Sequence, residues 1–304
     1  MHQIWKTIFS VFILFALIIC QYTAAAQSDL WPRRVLITND NGINDIKIIE
    51  LALAFSKVAE TVVVAPMEDR SGASNYMPVF INRQVRVEAR NLGDNITAYA
   101  VDGYPGDCVL LALTGIMREN PPDLVVSGIN GGPNLGQDWF GSGTIGAARV
   151  ASFAGVPAIA VSGLNDDLPG SVRAVNEWVV QFVQSEVVRS LQWGQYLTVS
   201  IPRIPPDEIK GVRITKRAGL RRIPVMTQSV SDSSGVARSL WQMTGVKETE
   251  DETEDPTDIS WYEAGFIAVV PMNAREQDHS LSLDLINRMD QIPDWPGLNN
   301  MDEK

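Results

Sequence analysis

Three polar loops in this sequence each follow a short apolar run, and they carry the residue types able to do chemistry. The first is Asn39-Asp40-Asn41-Gly42, after Val35-Leu36-Ile37-Thr38. The second runs from Met67 to Asn75, after Thr61–Pro66, and the third from Ser127 to Thr144, after Leu124–Val126. An aspartate such as Asp40, at the carboxyl end of a strand, is placed to hold a divalent cation or to activate a water. The same tetrapeptide is also a turn-forming string whose side chains bond their own backbone, and both readings stand. Ser71 can supply an oxygen ligand and Arg70 a positive charge for a phosphate; a solvated, capped loop would look the same. In the third loop, Ser142-Gly143-Thr144 stands at the head of a helical pattern running from Ile145 to Ala154. Unpaired N–H groups and the positive dipole end meet there, which makes a ready anion site beside Asn130 and Asn134. An ordinary βα loop with a serine cap reads alike.

Such loops need a scaffold that brings them together. Val35–Thr38, a helical stretch from Ile46 to Ala54 and Thr61–Pro66 form a βαβ unit, and Leu124–Val126 has the β-branched look of a buried parallel strand. In an open α/β sheet the crevice outside the strands' carboxyl ends takes the ligand. The glycine fingerprint GxGxxG is absent after the first strand, which disfavours a nicotinamide oxidoreductase. Alternation marks Phe80–Ala89 and Ile96–Val101 as half-buried strands, and Val109–Ile116 reads as a hydrophobic helix with Asp107 in its first turn. Val156–Ser162, Tyr196–Pro202, Gly211–Thr215 and Phe266–Val270 are further strands, with an amphipathic helix over Ser171–Ser190. Lys216–Lys247 alternates polar and β-forming residues around Gly219 and Ser233-Ser234-Gly235. The acidic run Glu248–Asp258 reads as a solvated loop, and the tail from Gln291 as loosely packed.

Residues 1–26 are set apart from that scaffold. Lys6 leads an apolar run from Ile8 to Cys20, closed by Ala24-Ala25-Ala26, the pattern of a cleaved signal peptide. The run is shorter than the ~20 residues a membrane span needs, so no membrane attachment is expected after cleavage. The expectation is a periplasmic or secreted domain over residues 27–304. Removing the leader takes away Lys6 alone, leaving 24 basic against 36 acidic residues, a formal charge of −12. That surface argues against long nucleic acid as a partner. Cys108 is the one cysteine left, so no internal disulfide can form. His279 is the one histidine left, which excludes multi-histidine metal sites and ties any Ser-His or Cys-His mechanism to that residue.

The ordered series ITNDNGI, VVAPMEDRSGAS, VDGYPGDCVLLAL and PDLVVSGINGGPNLGQDWFGSGTIGAAR resembles the SurE family of metal-dependent nucleotidases and phosphatases across Val35–Ser162. The resemblance implies a Rossmann-like three-layer α/β sandwich with a C-terminal β-hairpin extension over 216–260. It also implies exchange of hairpins between subunits, hence a homodimer or homotetramer. The family's divalent ion, Mg²⁺ or Mn²⁺, falls on Asp40, Asn41, Ser71 and Asn130, with Asp40 and Asn41 also at the catalytic position. Its phosphate contacts fall on Asn134, Ser142, Gly143 and Thr144. One residue departs from the pattern: Asn41 stands where the family has a second aspartate, which removes one charge and one proton acceptor. The implied activity is hydrolysis of nucleoside monophosphates or other small phosphomonoesters. The alternative is a nucleotide-binding or assembly protein of the same fold, weakened in turnover by Asn41.

Overall fold

The apolar runs sort their side chains by parity. In β1 (Arg34–Thr38), Val35 and Ile37 join one core and Leu36 the other. β2 (Glu60–Pro66) divides Val63 and Ala65 from Val62 and Val64, and β5 (Leu124–Asn130) divides Leu124 and Val126 from Val125. Burial on both faces explains why these strands read as continuous apolar runs rather than as alternation. A computed structural model describes residues 31–81, 84–219, 221–231, 239–249 and 255–276. The chain falls into two units, Met1–Ala274 and Arg275–Lys304, and the fold below is that of the first.

Nine strands form the main sheet in the order β3 (Val87–Arg90), β4 (Ile96–Val101), β2, β1, β5, β6 (Ala158–Ser162), β7 (Gln195–Ser200), β11 (Ile267–Asn273) and β8 (Val212–Ile214). The strands from β4 to β7 are parallel, whereas β3 and β11 pair antiparallel to their inner neighbours. Helices α1 (Ile46–Phe55) and α4 (Ser171–Val183) share one core with Val35; α2 (Pro105–Leu111) and α3 (Gly143–Phe153) share the other with Leu36. The result is the expected three-layer α/β sandwich. Because the chain builds outward from β1 through β2 and β4 and then crosses to β5, the loops after β1 and β5 leave at a topological switch point.

Several expectations change in detail. Phe80–Ala89 is not a strand throughout: Pro78–Ile81 is a 3₁₀ turn, and pairing begins only at Val87. Phe80 and Ile81 are largely exposed, so their alternation has no sheet to face. The helix over Val109–Ile116 starts earlier, at Pro105, and widens into a π turn at Ala112–Ile116. The helix over Ser171–Ser190 breaks at Gln184-Ser185, and a short α5 (Glu186–Arg189) follows. The hairpin is present: β9 (Arg221–Ser231) and β10 (Ser239–Thr249) pair antiparallel as a separate two-stranded sheet. The acidic run is not all solvated loop, because Asp258 opens helix α6 (Asp258–Glu263) and is buried. The leader, His279 and the tail from Gln291 lie outside the described residues. Among the described residues, no helix is long and apolar enough to cross a membrane.

Candidate active site

The loop after β1 divides its labour between neighbours. Asn39 makes the turn: its Nδ2 donates to the Gly42 carbonyl at 2.9 Å and its Oδ1 accepts the Gly42 N–H at 3.1 Å. Asp40 takes no part in these turn bonds, so the turn-forming and ligand readings of this tetrapeptide do not exclude one another. Asp40 is only 3% exposed, and its carboxylate accepts the Thr144 N–H at 3.0 Å and the Thr144 hydroxyl at 2.7 Å. Burial pushes the Asp40 pKa up; the Thr144 bonds pull it down less, and nearby Asp69 adds to the rise. Gly143 lets this contact form, since a Cβ there would stand 2.8 Å from the Asp40 Cβ. Asn41 presents a buried Oδ1 with no hydrogen-bond partner among the described residues.

The loop after β2 is fastened over this carboxylate. The Arg70 N–H donates to the Asp40 carbonyl at 2.7 Å, and the Ser74 N–H donates to the Gly141 carbonyl at 2.9 Å. Gly146 in α3 is required beneath it, because a Cβ there would fall 2.0 Å from the Ser74 carbonyl oxygen. The Ser71 hydroxyl donates to Asp69 Oδ1 at 2.6 Å, and its N–H donates to the same oxygen at 2.8 Å. Those two bonds hold the Asp69 carboxyl below its ordinary range and leave the Ser71 lone pairs open. Arg70 does not line the cavity described below, and its buried Nε has no hydrogen-bond partner among the described residues. Its guanidinium stands 3.8 Å from both Glu68 and Asp102 and lies over the Tyr104 ring.

From β5 come the amides and the helix start. Asn130 Nδ2 donates to the Gly132 carbonyl at 2.8 Å, which leaves Oδ1 as its open end, and Asn134 Nδ2 donates to Ser162 Oγ at 2.7 Å. A cavity of about 670 Å³ brings together Asp40, Ser71, Asn130, Asn134 and Ser142, with Trp139 and Phe140 in its wall. Asn41, Gly143 and Thr144 are not among its lining residues. The anion site at the head of α3 is accordingly narrower than expected: the Thr144 N–H is taken by Asp40 and the Ile145 N–H by Ser142 Oγ at 3.1 Å. A buried carboxylate needs donors at all times, so it claims the amide first. The Gly143 N–H is not claimed by either of these groups.

Two residues behind the wall escaped the sequence reading. Asp258, 2% exposed, accepts the Gly136 N–H at 2.9 Å, the Ala218 N–H at 2.8 Å and the Ile259 N–H at 2.9 Å. Arg217 donates from Nη1 to the Gly136 carbonyl at 2.6 Å. Its guanidinium lies 5.6 Å from the Trp139 ring centre, and that of Arg149 lies 5.0 Å away. Burial lowers the Arg217 pKa while Asp258 opposes the shift. A signal did exist in Thr257-Asp258, a capping residue and a first-turn acid before the apolar-aromatic Ile259 and Trp261. By contrast Cys108 is fully buried, and its thiol is pushed well above the ordinary value by burial, so it is no nucleophile near neutral pH.

One carboxylate, two amide carbonyls and one hydroxyl make an all-oxygen donor set that fits a hard divalent cation, and the orphaned Asn41 Oδ1 is the acceptor such an ion would satisfy. A family model described as "Survival protein SurE" matches residues 35–223. The chain belongs to the SurE family. A SurE relative from Yersinia enterocolitica, named 5'/3'-nucleotidase, is 34% identical over 86% of this chain and 97% of its own length. One from Heliobacterium modesticaldum, named 5'-nucleotidase, is 35% identical over 87% of this chain and 92% of its own. The solved SurE protein from Aquifex aeolicus superimposes with a TM-score of 0.67 at 26% identity, covering 84% of this chain and 99% of that one. Relatives that carry the SurE name are thus phosphoric monoester hydrolases.

Proposed function

We propose that this SurE protein is a divalent-metal-dependent phosphomonoesterase that hydrolyses nucleoside monophosphates. The observation that carries the reading is the single cavity shared by Asp40, Ser71 and Asn130 with Asn134 and Ser142, two ligand types at one switch point. A Mg²⁺ or Mn²⁺ ion on Asp40, Asn41, Ser71 and Asn130 would supply Lewis acidity and a bound water of lowered pKa. The chain's own part is positioning and electrostatics. Thr144 fixes the Asp40 carboxylate through two hydrogen bonds, and Asp69 fixes Ser71 through two more. Asn134 and the Gly143 N–H, with the Ser142 hydroxyl beside them, hold the phosphoryl oxygens as charge moves onto the leaving alcohol. The family match and the nucleotidase relatives support the substrate class.

Export and assembly belong to the same proposal. Residues 1–26 direct secretion, and N-terminal sequencing of the mature protein should begin at Gln27. The hairpin pairs with a second copy of the chain, as a dimer or tetramer.

Phosphate release from a panel of nucleoside monophosphates tests the activity, measured after chelation and again after adding Mg²⁺ or Mn²⁺. Metal-restored release is expected. Nucleotide binding without release would favour a second reading, a protein weakened in turnover, for which Asn41 in place of a carboxylate speaks. Asn41→Asp separates them further: the metal concentration for half activation should fall by roughly tenfold, as ligand charge increases, and the pH optimum should move. An unchanged metal requirement and pH profile would remove Asn41 from the ligand set.

A further inference from the structure

Phe140 is the large apolar side chain of the cavity wall that no structural role accounts for. It is 75% exposed. Its ring meets Trp139 edge-on, with centroids 5.7 Å apart and planes at 88°, so one face is not used in that contact. Trp139 is not equally free, because the Arg149 and Arg217 guanidiniums lie over its ring. Next in sequence, Gly141 opens on empty space, with nothing within 4 Å of where its Cβ would stand. The following residue is Ser142, which shares the cavity with Asp40 and Asn134.

The geometry points to a nucleobase shelf. We propose that Phe140 stacks the base of a nucleotide whose phosphate sits between Ser142 and Asp40, so the site selects nucleotides from other phosphomonoesters by stacking. This rests on the phosphomonoesterase reading of the cavity. An aromatic face accepts every base, because every base has a π-face; the preference follows stacking area, purine over pyrimidine, and not hydrogen-bond pattern. An exposed aromatic costs little when no substrate is present, and ring-on-ring contact is made alike in ground and transition states. Its loss therefore falls on KM more than on kcat.

The test compares the native protein with Phe140→Leu, which keeps apolar volume, and Phe140→Tyr, which keeps the ring. Substrates are 5'-AMP, 5'-UMP and β-glycerophosphate, and adenosine binding is followed by calorimetry. In Phe140→Leu the KM for AMP should rise by roughly tenfold relative to that for β-glycerophosphate, with a smaller relative rise for UMP, and Phe140→Tyr should restore both. Adenosine should bind the native protein and the Tyr variant more tightly than the Leu variant. Equal KM changes for AMP and β-glycerophosphate, or adenosine binding indifferent to residue 140, overturn the shelf while leaving phosphatase activity standing. Phe140-dependent adenosine binding without hydrolysis of any substrate overturns the phosphatase reading alone.

Discussion

The cavity and the hairpin invert the usual distribution of side chains in opposite ways. At and behind the cavity, charged and polar groups are buried: Asp40, Thr144 and Asp258 have almost no contact with solvent. Along β9 and β10, Ile223, Trp241 and Met243 are each more than half exposed. Scattered apolar residues on a surface are ordinary, whereas buried polar groups and contiguous exposed apolar ones are informative. In the proposed function an ion and a phosphate fill the cavity, and a second copy of the chain covers the hairpin. Hydrogen-bond satisfaction also differs between the two. Around Asp40 several buried polar atoms lack a hydrogen-bond partner among the described residues, the Asn41 Oδ1, Thr38 Oγ1 and Arg70 Nε among them, while the hairpin is held by its own ladder, with Thr227 and Thr244 bonded across it.

The sharpest way to break this comparison is Asp40→Asn. Loss of the carboxylate should reduce kcat/KM by several kcal/mol of transition-state stabilisation, roughly a thousandfold. The metal-free variant should nevertheless unfold at a higher temperature near pH 7. Its amide can accept the Thr144 N–H and donate to the Thr144 hydroxyl without burying a charge. The sign follows from Asp40's raised pKa: its contribution to folding is fully present below the ordinary value of 3.8 and is lost as pH rises through the higher folded value. Melting curves of the two metal-free proteins should coincide below pH 3.8 and separate above it. Native protein that remains the more stable at pH 7 without metal would show that the carboxylate is not an uncompensated buried charge.

Asp258→Ala comes next in size. Removing the acceptor strands three backbone N–H groups and leaves buried Arg217 without its counter-charge, a loss of about 3–5 kcal/mol. Denaturant unfolding measures it. A loss below about 1 kcal/mol would mean that the Gly136–Phe140 wall is held by packing alone. Thr144→Val follows, with metal affinity and kcat/KM falling by about 10–100-fold because Asp40 loses one of its two donors, while Thr144→Ser retains most of both. Direct metal titration separates this from a folding defect. The smallest effect on single-chain stability belongs to Trp241→Glu with Met243→Glu, less than about 0.5 kcal/mol for exposed positions. Light scattering should still report a shift to monomer. An unchanged assembly would leave the exposed apolar stripe without the partner assigned to it.

Much of the site was legible because its residues lie in short loops between strong strand signals. Val35–Thr38, Thr61–Pro66 and Leu124–Val126 are apolar on both faces, which only a covered parallel sheet explains, and loops at such strand ends converge on a crevice. Asp258 was not legible in the same way. It closes an acidic string, and although Thr257 marks it as a first-turn acid, the bonds from Gly136 and Ala218 that bury it come from segments far off in the chain. Thr144 was legible as a helix-start residue but not in its role. Whether its N–H meets a ligand or a carboxylate depends on Asp40, 104 positions away. Phe80–Ala89 failed because alternation signals a strand only where a neighbour is available to pair.

By itself the sequence determined which segments are strands and helices and which loops carry oxygen donors, since periodicity and capping act over a few residues. Tertiary structure alone decided which polar groups distant in the chain are spent on each other: Thr144 on Asp40 and the Gly136 N–H on Asp258, with the Asn41 oxygen left without a partner and the Phe140 ring exposed. The physical reason is that a buried polar group takes the nearest partner the fold supplies, and proximity across a hundred residues is a property of the sheet order, not of any local string.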